Sequence, residues 1–92
     1  MNILFRPQIN PYVESFQFHF EGEIITVTQG EEKDIFDFSE IPDGMVDGVE
    51  TTLLVNPIIR ARRENGVLYV ELKKLYEDEV PIDEQFPEWM EV

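Results

Sequence analysis

Cysteine is absent from this chain, which excludes a disulfide framework, a thiol nucleophile and any cysteine-ligated metal. Histidine is nearly absent: His19 stands alone, and one histidine builds a zinc site only with carboxylates in a spacing this chain does not show. With that single histidine and few serines, no Ser-His-Asp arrangement is signalled. Carboxylates are abundant, but a glycosidase-type pair is not signalled, and a chain this short has little room for a cleft. No glycine-rich phosphate loop occurs. Asp43-Gly44-Met45-Val46-Asp47-Gly48 has the look of a calcium loop but lacks the alternating oxygen ligands and terminal glutamate of one, and reads as two tight turns. No apolar run is long enough for a membrane span, and no basic stretch followed by an apolar one marks a signal peptide. The chain is therefore expected to be neither a metal-dependent nor a nucleophilic enzyme, and to need no cofactor.

Positive charge is also scarce. Seven Lys and Arg face twenty Asp and Glu, for a formal charge of −13. That field repels phosphate backbones and anionic lipid, so neither nucleic acid nor membrane is an expected partner. It accounts for solubility, and a sharper reading aims it at a basic partner protein, including mimicry of DNA.

What the chain does have is amphipathic strand pattern. Phe16, Phe18 and Phe20 alternate with Gln17 and His19, and Glu23 to Thr28 follow across Glu21-Gly22. A two-residue loop at Glu21-Gly22 would pair Phe18 with Ile25 and Phe16 with Val27 on an apolar face, with His19 opposite Ile24 on the other. Ile35 to Phe38 continue as a third strand, with Phe36 and Phe38 on one face. Asn2 to Phe5 read as a short strand ended by Arg6-Pro7, and Thr51 to Val55 as another, interrupted by Asn56-Pro57. Asn65-Gly66 is a strong hairpin signal. It pairs Ala61 with Val70, Ile59 with Leu72 and Arg63 with Leu68 on the apolar side, and Arg60 with Glu71 and Arg62 with Tyr69 on the other. Ninety-two residues allow one modest core, burying about 60–65% of the unfolded surface. Two amphipathic hairpins must cover each other's apolar faces. The expected fold is all-β, an antiparallel meander and hairpin sandwich or partly open barrel of about six strands. The β domain spans 1–76 and an acidic C-terminal extension spans 77–92. Its inward residues are Phe16, Phe18, Ile25, Val27, Phe36, Phe38, Ile59, Ala61, Leu68, Val70 and Leu72.

Two sets of residues are candidate partner contacts. Arg60 and Arg62 belong to a hairpin that also carries Arg63, Lys73 and Lys74, five of the seven cations. They either form a docking stripe for an acidic partner or pair with Glu64, Glu71 and the acidic extension. The extension holds seven acidic residues and no basic one, with Phe86, Trp89 and Met90 as its apolar points. These could cover an open edge of the protein's own sheet, dock on another chain, or fray in solution.

The order of pieces resembles a family of small proteins encoded in tailed bacteriophages and prophages, often among tail genes. The resemblance rests on Met1-Asn2-Ile3 followed by Pro7-Gln8, a short strand pair, and Phe36-Asp37-Phe38-Ser39-Glu40-Ile41-Pro42-Asp43-Gly44. It extends through a hairpin like Glu64-Asn65-Gly66-Val67-Leu68-Tyr69-Val70-Glu71-Leu72 to Phe86-Pro87. This chain departs from it in a longer turn at 29–34 and a Phe-rich first hairpin. The family has no established enzymatic activity, so no catalytic residues carry over. The resemblance implies a phage or prophage accessory protein serving tail assembly, in the bacterial cytoplasm or on the virion. The sequence-based expectation is thus a non-catalytic protein acting through protein contacts, with tail components or further copies of itself as partners. The alternative is an acidic inhibitor that mimics DNA.

Overall fold

A computed structural model describes residues 1–46 and 48–92. The described residues form strands β1 (Asn2–Ile9), β2 (Gln17–Glu21), β3 (Ile24–Gln29), β4 (Glu32–Asp37), β5 (Gly44–Val46), β6 (Ile58–Glu64), β7 (Val67–Tyr76) and β8 (Met90–Glu91), with one 3-10 turn at Ile82–Glu84. They make two sheets, one in the order β5-β6-β7-β1-β8 and one in the order β2-β3-β4. The fold is all-β, and the sheets close on a single core that includes Ile3, Phe16, Ile25, Val27, Phe36, Phe38, Ala61, Leu68, Val70 and Leu72. At about 25 cal/mol per Å² of apolar surface, the Ile, Leu, Val and Phe side chains among them each contribute about 1.5–3 kcal/mol when fully buried.

The β6–β7 hairpin has the expected register up to its base. Asn65 and Gly66 take positive φ of 52° and 80°, the conformation that a two-residue type I′ loop requires. Ala61 faces Val70, Arg62 faces Tyr69 and Arg60 faces Glu71. At Ile59 the expectation fails. The ladder shifts between Ile58 and Arg60, and Ile58 takes the place opposite Leu72. The Pro57 carbonyl accepts from the Lys73 N–H at 2.9 Å, so the strand re-enters the ladder one residue out of step. Ile58 is consequently buried and Ile59 only half-buried.

The β2–β3 hairpin is also displaced from expectation. The loop is Gly22-Glu23, so Phe18 faces Val27, Phe20 faces Ile25 and His19 faces Thr26. Positive φ (59°) occurs at Gly22, the first loop position, as in a II′ turn. Moving the loop by one residue shifts each pairing by two, which preserves the apolar face. Phe16 is buried, whereas Phe18 and Phe20 are half-buried at one side of the sandwich beside Phe5.

Three further features depart from the sequence pattern. β1 does not stop at Arg6-Pro7 but runs to Ile9, and it pairs in parallel with β7 from Asn2↔Tyr69 to Ile9↔Tyr76. The sheet is therefore mixed, with the smaller sheet and the β5–β6 pair forming the crossover that a parallel pair needs. Pro7 is tolerated because β8 pairs only with Asn2 and Ile3, which leaves the rest of β1 as an edge. Thr51 to Val55 form no strand. Asp34 Oδ2 accepts from Thr51 Oγ1 (2.8 Å) and the Thr52 N–H (3.0 Å), and Asn56 Oδ1 accepts from the Ile58 N–H (3.0 Å). Side chains thus take the backbone donors a ladder would use, and Leu53 is buried while Leu54 is exposed. The turn signal at Asp47 lies outside the described residues.

Candidate interaction surface

The extension turns back onto the sheet. Met90 faces Ile3 and Glu91 faces Asn2 in an antiparallel pair, and the Val92 N–H donates to the Met1 carbonyl at 2.9 Å. Two residues of ladder are a small contact, and side chains reinforce it. Trp89 meets Tyr69 edge to face at 5.4 Å. The Arg62 guanidinium lies over Tyr69 at 4.5 Å and over Trp89 at 5.8 Å. Lys74 forms an ion pair with Glu84. That hydrogen bond holds the Glu84 carboxyl below the usual carboxylate range and raises Lys74. Burial pushes the nearby Tyr76 phenol upward, its hydroxyl lying beside the Lys74–Glu84 pair.

Between β1 and the returning extension lies a groove of about 500 Å3. Phe5 and Pro7 form one wall, Phe86, Pro87 and Trp89 the other, and Lys74 and Tyr76 line it between them. The β1–β8 ladder ends at Ile3↔Met90, so beyond that pair the two segments are not hydrogen-bonded to each other. Phe86 is 77% exposed, Trp89 42% and Met90 45%.

Of the candidate contact residues, Phe86, Trp89 and Met90 fall on this one surface. Arg62 touches Trp89 but stands beside Tyr69 on the other face of the sheet, outside the groove. Arg60 does not: it pairs with Glu71 at 2.9 Å. Glu71 also accepts from Arg6 at 2.7 Å and is itself buried. Arg63 points into the fold. Its five N–H groups donate to both Glu23 oxygens and to the carbonyls of Phe38, Ile41 and Gly66. Sequence reasoning did not find Lys74, Tyr76 and Glu84. The signal for the first two was available, since positions 74 and 76 continue the Leu68-Val70-Leu72 side of β7 beyond the core. Glu84 could not be chosen among the extension's carboxylates.

His19 is exposed, 3.9 Å from Glu21. No group of three or more potential metal ligands occurs among the described residues. No helix there is long and apolar enough to cross a membrane. No family model, curated protein or solved structure matches this chain.

Proposed function

We propose that this chain is a non-catalytic accessory protein of a tailed phage or prophage, working through protein contacts in tail structure or assembly. The observation that carries the reading is the band of exposed apolar side chains, Phe86, Trp89 and Met90, presented at the sheet edge by a strand of two residues. Apolar groups gathered at a β edge are what protein docking uses. The family resemblance adds the phage setting, and the segment that carries it most specifically has a structural task here. Asp37 accepts from the Ser39 N–H and hydroxyl, Phe38 and Ile41 offer carbonyls to Arg63, and Asp43 accepts from the Gly66 N–H at 3.1 Å. The Phe-Asp-Phe-Ser…Pro-Asp-Gly segment thus grips the Asn65-Gly66 hairpin, the other principal element of the resemblance.

The test is affinity capture of the tagged full chain during phage production. Recovery of tail proteins is the expected result. Recovery of a DNA-handling host enzyme instead would replace this reading with nucleic-acid mimicry, and recovery of neither would overturn it.

A further inference from the structure

The groove beside β1 carries information about the chemistry of its occupant. Its walls are aromatic, Phe5 on β1 and Phe86 and Trp89 on the extension, and its rim is acidic, with Asp83, Glu84 and Glu88. Lys74 is the cation in its lining, and Lys74 is already engaged by Glu84. Asp83 and Glu88 have no ion-pair partner among the described residues.

The chain also shows how this surface holds a cation. The Lys74 ammonium sits 5.6 Å from the Phe5 ring centre and 5.7 Å from that of Tyr76, with the Glu84 carboxylate against it. Outside the groove, on the opposite face of the sheet beside Tyr69, the Arg62 guanidinium likewise lies over Trp89. Both are cation–π arrangements, and an aromatic face next to a carboxylate suits an alkylammonium or guanidinium better than a neutral side chain. An exposed aromatic ring, Phe86, flanked by unpaired carboxylates repeats those ingredients with no cation of the chain's own in place. The formal charge of −13 adds a long-range attraction of the same sign.

The geometry points to this groove as a binding site for an extended, Lys- or Arg-bearing segment of a partner protein. The inference rests on the protein-contact reading above and names the chemistry of the partner. The segment lies between the free length of β1 and the extension. Its apolar positions cover Phe86 and Trp89, and its cations meet Asp83 and Glu88.

Trp89 is the only tryptophan and lines this groove, so its fluorescence responds to an occupant. The full chain is titrated with acetyl-Lys-Leu-Lys-Leu-Lys-amide, and separately with the same peptide carrying Glu for Lys. Saturable change with the basic peptide, none with the acidic one, and affinity reduced about three- to fivefold in an Asp83→Asn/Glu88→Gln variant are expected. Both substituted residues are exposed, and circular dichroism checks that the variant is folded. Absence of saturation up to about 1 mM peptide overturns the inference. So does equal affinity for the variant, which would mean attraction to the overall charge alone. Capture of tail proteins that is unaffected by Asp83→Asn/Glu88→Gln would leave the functional proposal standing while removing the groove from it.

Discussion

Arg63 and Glu23 are forty residues apart in sequence, and their side chains share two hydrogen bonds, of 2.9 and 2.8 Å. Arg63 stands on β6 of the larger sheet, and Glu23 is in the β2–β3 loop of the smaller. The pair joins the two layers at the end of the apolar face, where a charge pointing inward would otherwise be costly. The guanidinium fork suits this position because its five donors all find acceptors. Arg63→Met should lower Tm by several degrees. Arg63→Lys should recover only part of the loss, because an ammonium has three donors and no fork. Calorimetry on the three proteins decides this, and a lysine variant as stable as the parent would contradict it.

The same pair sets an acid dependence. Hydrogen bonding to Arg63 holds the Glu23 carboxyl below the usual carboxylate range. With the folded value below the unfolded one, the stabilisation is complete at neutral pH and is lost as pH falls below about 4. Asp34 has the same sign: burial alone would push it up, but donors from Thr52, Thr51 and Ile35 outweigh burial. The Tm gap between the parent and Glu23→Gln should therefore narrow between about pH 7 and about pH 3. A gap that is constant across that range would show that the carboxylate's charge is not what matters.

Glu71 is a buried carboxylate shared by two partly exposed arginines, Arg6 and Arg60. Losing one arginine leaves the other in place, so each single alanine variant should cost about 1 kcal/mol or less. Losing both strands a buried charge and should cost about 3 kcal/mol. The cycle of Arg6→Ala, Arg60→Ala and the double variant, followed by urea unfolding, should thus be non-additive. Additive costs would mean that solvent already serves Glu71.

The bulge at the base of β6 predicts opposite sensitivities in adjacent isoleucines. Ile58→Ala opens a cavity against Leu72 and should cost about 2–4 kcal/mol. Ile59→Thr, half-buried and out of the ladder, should cost less than about 1 kcal/mol. Reversed costs would restore the unbulged register.

This is also where the sequence stops being legible. Asn65-Gly66 specifies its loop, and register follows outward until Pro57 intervenes; no pattern of side chains announced that Ile59 would be passed over. Around Gly22, two adjacent loop positions give the same apolar face, so periodicity could not choose between them and the glycine's positive φ did. The parallel β1–β7 pair joins residues far apart in the chain, and Asn2 to Ile9 carry no local mark of their partner. Thr51 to Val55 have strand composition, but Asp34 and Asn56 take their neighbours' donors. The aromatic points of the extension were legible because they are few in an acidic stretch, whereas the groove depends on where the β1–β8 ladder stops, at Ile3 and Met90.

Removing β8 bares Asn2 and Ile3. A chain ending at Pro87 should melt lower than the parent and associate through the uncovered edge. Size-exclusion chromatography with light scattering reads both species. A truncated chain that stays monomeric with an unchanged Tm would mean that β8 contributes nothing to the fold.

The central claim is that the surface around Phe86 meets a partner protein. Its most direct test is a photo-crosslinking residue at position 86 of the full chain during phage production, with one at the still more exposed Tyr12 as control. A single major crosslink to a tail protein from position 86, absent from position 12, is the predicted result. No crosslink from position 86, or the same products from both positions, would contradict it.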